Sequence, residues 1–299
     1  QLPTFLVSRL ARQHVTVVLT GDGGDEVFAG YNRHVWGERL WSRLERVSPR
    51  LRQSLGRGVL AIPPGVWERA SEWSAPLVPE RYQVRQASLK AQKFARLAQA
   101  TSHRDMHLIL ASHWLPSERV LHDQRTERTR AERSAAELGD LGVIDHALWF
   151  DTVQGLPGDM LVKVDRATMA VGLEARQPLL DHRLVEFAWS LPPDLKIRNG
   201  VGKWILRELL ADSVPRPLFE RPKHGFGVPI GDWMRGPLRP WAEELLSEKS
   251  LKNSGIFDAR VVRETWAKHL SGRENHDQRI WIVLMMQEWL RTTATNHVL

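Results

Sequence analysis

The sequence predicts an α/β nucleotide-binding fold of the doubly wound, parallel-sheet type, with an incomplete sheet, so that this piece is mostly α-helical. Three observations predict it. A β-branched run, Val15-Thr16-Val17-Val18-Leu19, leads straight into the glycine turn Gly21-Asp22-Gly23-Gly24 and then into a helix-like stretch. That strand–loop–helix order is the local grammar of a parallel sheet, whose ligands sit at the carboxyl ends of its strands. Almost everything downstream has helical period, punctuated by proline. No second strong strand is legible. One strand cannot form the sheet its loop implies, so the remaining strands are expected in sequence preceding Gln1.

The elements follow in order. His14–Thr20 reads as a short buried strand, because its apolar run is continuous rather than alternating. Asp25 to about Leu44 reads as one helix. Pro49, Pro63-Pro64, Pro76, Pro79 and Pro116 then separate helical segments. Asp140–Leu156 and Gly158–Leu173 read as paired helices, and Asp181 as the cap of a helix running to about Ser190. Gly202–Leu210 is a further helix, and Arg221–Gly231 a loop rich in Gly and Pro. Helices resume at about Leu238–Leu246, Ala259–Leu270 and Gln278–Arg291. Residues 1–45 thus form a strand–loop–helix nucleotide-binding remnant and 46–299 a helical remainder. An unpaired sheet edge near Val15–Leu19 predicts low solubility or self-association.

Composition narrows the function classes. With 42% hydrophobic and 26% charged residues the chain is an ordinary globular protein. The 13 Trp lie in helix-like patterns and read mainly as packing residues. The net charge of +7 favours anionic ligands at long range, but it is spread out, with no run of five Lys or Arg. This argues against a dedicated nucleic-acid binder. No segment reaches the ~20 apolar residues of a membrane span. The absence of cysteine excludes disulfides, thiolate metal sites and a Cys nucleophile within these residues, and is compatible with a cytoplasmic location. The start at Gln1, without Met, suggests an excerpt from a longer chain.

Three loops carry candidate chemistry. In Thr20-Gly21-Asp22-Gly23-Gly24-Asp25-Glu26, glycines let backbone N–H groups face a phosphate. The acidic residues make sense there only if a divalent cation intervenes, and Mg²⁺ is usually held by one or two carboxylates plus phosphate oxygens. Taken alone, the loop reads equally as a tight turn with Asp as a helix cap. Leu161 to Asp181 threads charges, Asp165, Arg166, Glu174 and Arg176 among them, through an apolar segment, where ion pairing and capping are the simpler reading. In Arg221-Pro222-Lys223-His224-Gly225-Phe226, a lysine in a Gly/Pro-bounded loop can swing onto a phosphate; alone it reads as a surface loop. Together the three supply an acidic nest, a charged helix end and a mobile cation, the parts needed at a nucleoside triphosphate site.

In chain order these segments resemble the synthetase domain of glutamine-dependent asparagine synthetases. Thr20–Tyr31 is similar to the family's S-G-(E/D)-G-x-D-E-x-F-x-G-Y stretch. Leu161–Asp181 is similar to its D-R-x-(S/T)-M block ending in E-x-R-x-P-x-L-D, Lys203–Arg207 to the helix that follows, and Arg221–Phe226 to its R-x-K-x-x-F loop. Trp281–Trp289 fits its closing helix. The resemblance implies an adenine-nucleotide alpha-hydrolase-like fold and a reaction using ATP and Mg²⁺: adenylation of aspartate, then attack by ammonia derived from glutamine. It implies nucleotide contacts from Thr20, Gly21 and Gly23, a Mg²⁺ on Asp25, and catalytic roles for Asp22 and Lys223. Glu174 and Arg176 would shape the substrate pocket. Asp22 is one methylene shorter than the Glu common at that position. The resemblance allows a homodimer and implies no nucleic-acid or membrane partner. The family's S-G-G-x-D-S pyrophosphate loop and its glutaminase half, with an N-terminal Cys, are not found here, so these residues alone are expected to be inactive and to bind ATP poorly. The sequence leaves open an amide-forming ligase acting on another carboxylate, and a non-catalytic interaction protein of the same fold.

Overall fold

A computed structural model describes residues 1–74, 87–123, 133, 141–220, 227–272 and 274–296. Predominantly helical with two small sheets, it divides into two compact units. Unit 1 comprises Gln1–Pro49, Ala100–Leu110 and Arg128–Phe226; unit 2 comprises Arg50–Gln99, Ala111–Glu127 and Gly227–Leu299.

In unit 1, the expected strand is β1, Val17–Leu19, and it is not alone. It pairs in parallel with β2, Glu174–Arg176, in the register Val17↔Glu174, Val18↔Ala175, Leu19↔Arg176. The strand is also not buried: Val17 is 40% and Leu19 73% exposed. Among the described residues no layer covers that face, so an apolar run that reads as buried is open here. The predicted helix from Asp25 to Leu44 is in fact two, Gly24–Val27 and Asn32–Leu44. Between them Ala29 takes a left-handed backbone (φ 59°), and the amide of Gly30 donates to the carbonyl of Asp25 at 2.8 Å, closing the first helix.

The predicted helix pair of residues 140–173 is one run. Val143–Phe150 passes into a π-helical stretch, Asp151–Met160, and on into Leu161–Met169. Pro157 lies inside it and does not break it. A proline lacks the N–H of the regular ladder, and the altered hydrogen-bond spacing of a π turn absorbs that loss. Beyond β2, Asp181 caps the helix His182–Ser190 as predicted, its side chain accepting from the Arg183 amide. A second sheet is a tight hairpin, β3 (Ile197–Arg198) and β4 (Val201–Gly202), paired antiparallel. Its turn residues Asn199 and Gly200 both have positive φ, 54° and 79°. Asn-Gly is the residue pair such a turn favours.

Unit 2 is built from the predicted C-terminal helices, observed at Arg239–Leu245, Ala259–Leu270 and Asp277–Asn296. Asp258 caps the second of these, accepting from the amides of Arg260 and Val261. Its core centres on Trp266, Met234, Leu246, Leu251, Val262, Ile280 and Leu284, all essentially inaccessible. Trp266 bears out the reading of tryptophan as packing, and its indole N–H donates to Glu243 at 2.9 Å. Trp36, Trp73 and Trp289 do not, being 61%, 89% and 57% exposed. Among the described residues no helix is long and apolar enough to cross a membrane.

Candidate functional site

The site is assembled where β1 and β2 end. Parallel pairing brings their carboxyl ends side by side, and the Thr20 amide extends the ladder to the Arg176 carbonyl at 2.9 Å. The loop Thr20–Asp25 leaves β1 at that edge, and Gln177–Asp181 leaves β2 beside it. Gly23 has φ 89°, and a Cβ there would lie 2.1 Å from a methyl of Leu180. Only glycine fits both the left-handed backbone and the approach of the second loop. The Thr20 hydroxyl donates to Asp22 Oδ2 at 2.8 Å, orienting that carboxylate.

Asp25 is held by a residue to which the sequence reading gave no role at the site. Lys203, one residue past β4, places its ammonium 2.9 Å from Asp25 Oδ1. The pair crosses directly over Gly30, where a Cβ would meet Asp25 Oδ1 at 1.8 Å and Lys203 Cε at 2.3 Å. Lys203 has a left-handed backbone, φ 54°, and its amide donates to the Phe28 carbonyl at 3.0 Å. The available signal was Asn199-Gly200: a two-residue hairpin turn there fixes where the following lysine emerges.

Behind the loop runs a polar chain that sequence reasoning also missed. Glu26 is buried and accepts the Tyr31 hydroxyl at 2.5 Å. The Arg33 guanidinium stacks 4.0 Å over the Tyr31 ring and bonds Asp151 Oδ2 at 2.8 and 3.0 Å. His34 Nε2 meets the same oxygen at 2.6 Å, and His107 Nε2 lies 3.5 Å from Oδ1. Burial pushes the Asp151 carboxyl up, but the neighbouring His107 and His34 rings and the Arg33 charge outweigh it and hold the group well below the usual carboxylate range. Burial also pushes His34 down, against the pull of Asp151. The consistent state is an anionic Asp151 countered by Arg33, with a neutral His34 donating from Nε2. Burial pushes the Tyr31 phenol far up, reinforced by its bond to Glu26.

Glu174 and Arg176 share one face of β2 and pair with each other at 2.7 Å, both well exposed. Arg176 stands at the loop edge; Glu174 is two residues back along the strand. Thr20, Gly21, Asp22, Gly23 and Asp25 are therefore gathered with Arg176 at one sheet edge. Lys223, with the whole segment 221–226, lies outside the described residues. Among the described residues no group of three or more His, Asp or Glu could hold a metal ion unaided. Asp25, already paired with Lys203, fits a Mg²⁺ only as a cation shared with phosphate oxygens.

The sequence profile of the asparagine synthase family matches residues 1–291. The chain is 32% identical over 294 residues to a putative glutamine-hydrolysing asparagine synthetase of Mycobacterium tuberculosis (strain H37Rv), aligning 96% of this chain with 41% of that protein. It is 27% identical over 294 residues to glutamine-hydrolysing asparagine synthetase 1 of Bacillus subtilis, with 96% and 42% covered. Against human glutamine-hydrolysing asparagine synthetase the identity is 30% over 149 residues, 44% of this chain and 26% of that protein. The chain thus spans about two fifths of the bacterial relatives that it matches along nearly its whole length. On the profile match and the order of its motifs, the chain belongs to the asparagine synthase family.

Proposed function

We propose that this chain forms part of an ATP-dependent asparagine synthetase and contributes the nucleotide-facing edge of its synthetase site. The observation that carries the reading is the parallel β1–β2 pair, which sets the Thr20–Asp25 loop at the carboxyl ends of two strands with Asp25 oriented by Lys203. An aspartate side-chain carboxylate oxygen attacks the α-phosphorus of ATP. The bond to the β-phosphate breaks, and pyrophosphate leaves. Ammonia, released from glutamine by a glutaminase portion, then attacks the acyl carbon, and AMP departs as asparagine forms.

In this scheme the backbone of Thr20, Gly21 and Gly23 lines the nucleotide. Asp25 would hold a Mg²⁺, which would supply charge neutralisation at the phosphates. Asp22, steadied by the Thr20 hydroxyl, accepts a proton from the attacking nitrogen. Lys223 offsets negative charge developing on the phosphates. Glu174 and Arg176 border the acid substrate. The bacterial relatives are more than twice as long as this chain, and the proposal concerns a protein of that length. The test incubates such a protein with ATP, Mg²⁺, ammonia and either aspartate or other acids. Asparagine and pyrophosphate in equal amounts, from aspartate alone, are expected. Amide formation only with a different acid, or no pyrophosphate release at all, would overturn the reading.

A further inference from the structure

Unit 2 holds a cavity of about 360 Å³ into which basic groups from separate segments converge. Arg96, Arg260, Lys268 and Arg279 line it together with Trp114 and Glu118. Glu118 is saturated: Oε1 meets Arg96 at 2.7 Å and Arg279 at 2.8 Å, while Oε2 accepts from Arg279 at 3.0 Å and from the Leu115 amide at 2.8 Å. One carboxylate thus serves two guanidinium groups. The other two carboxylates of the lining are also engaged, Glu264 with Arg260 at 3.3 Å and Glu274 with His276 at 2.8 Å. Lys268 has no ion-pair partner among the described residues. Positive charge therefore exceeds negative inside a partly enclosed space, where low-dielectric walls focus the field on a small anion.

Geometry supports the same reading. The Arg96–Glu118–Arg279 set is fixed, and Arg279 is further clamped 4.8 Å over the Trp114 ring. Arg260 is 72% exposed at its side chain, and its pair with Glu264 is a helix-surface contact of the kind that contributes little. It can exchange that partner for a ligand. Trp114 and Val261 add an apolar wall, as small-molecule sites usually have. We infer that this cavity binds a small anion, a carboxylate or a phosphate compound, with Lys268 and Arg260 turning onto it and the Arg96–Glu118–Arg279 set as its fixed wall.

The test titrates the whole chain with inorganic phosphate and, separately, with citrate, by calorimetry and by tryptophan fluorescence. Saturable binding of at least one is expected, falling steeply with added salt. Lys268→Gln should weaken it about tenfold and Lys268→Glu abolish it, since the latter places a like charge against the ligand. Phosphate without citrate identifies phosphate chemistry, and citrate without phosphate identifies a carboxylate ligand. The loop of unit 1 could also take phosphate, so the variants decide: binding that a folded K268E leaves unchanged overturns the assignment. Should K268E fail to fold, Arg260→Gln reads the same cavity, and unchanged affinity there overturns it equally. No saturable binding of either anion up to about 10 mM also overturns it.

Discussion

Acidification should loosen unit 1 through His146, well above the range in which carboxylates titrate. The imidazole is buried, 5% exposed, and its Nδ1 has no hydrogen-bond partner among the described residues. Its ring stands edge-on to His103 at 5.4 Å and to His107 at 6.1 Å. Burial, then the charges of His107, His103 and Arg104, push its pKa down to about 4. The unfolded chain titrates near the ordinary His value of about 6.5. The folded state therefore binds fewer protons across that window, and stability falls as pH drops from about 6.5 towards 4. A gap of about 2.5 units corresponds to roughly 3 kcal/mol in full, of which about 2 kcal/mol is lost between pH 7 and 5. Urea unfolding followed by circular dichroism at pH 7, 6 and 5 measures the slope, and His146→Leu isolates the contribution. The variant should lose about 2 kcal/mol less over that range than the native chain. Parallel slopes would refute the reasoning, because they would mean the ring is already charged, or hydrated, in the fold.

Other outcomes follow from contacts described above. Gly30→Ala should separate Asp25 from Lys203 and cost about 2 kcal/mol, read as a lower urea midpoint, because the added methyl occupies the space of the ion pair. Lys203→Met should cost less than about 1 kcal/mol in stability, since the pair is partly solvated, yet in a protein of the relatives' length it should lower the rate of pyrophosphate release. Asp258→Ala removes the cap of Ala259–Leu270 and should lower stability by about 1 kcal/mol, visible as a reduced Tm. The open β1 edge should make the isolated chain associate; a monodisperse monomer by light scattering would count against that.

What the sequence disclosed was local, and what it hid was tertiary. The helices at His182–Ser190 and Ala259–Leu270 were legible from period and from Asp181, and Asp258 marks the second start in the same way. The strand Glu174–Arg176 was not, because Glu-Ala-Arg has no strand propensity of its own. It is extended because β1 offers it a ladder. The break after Val27 was hidden for a similar reason: Ala29 adopts a conformation no propensity assigns to alanine, held by the Gly30 amide and by the Lys203 amide on Phe28. The glycine–aspartate loop was found as a motif, but its ion-pair partner lies 178 positions further on and emerged only with the hairpin that delivers it. The Asp151 cluster draws Arg33 and His34 from one helix and His107 from another, and no spacing rule unites them with Asp151.

The backbone of Lys203 has an evolutionary corollary. A left-handed site is one where glycine would relieve roughly 1 kcal/mol of steric strain. Selection for thermal robustness alone would therefore drift towards Lys203→Gly and silently discard the ammonium that orients Asp25. Persistence of the strained lysine through such a screen would mark its charge as worth more to the organism than the stability forgone, whereas ready replacement would show the position to be mere scaffolding.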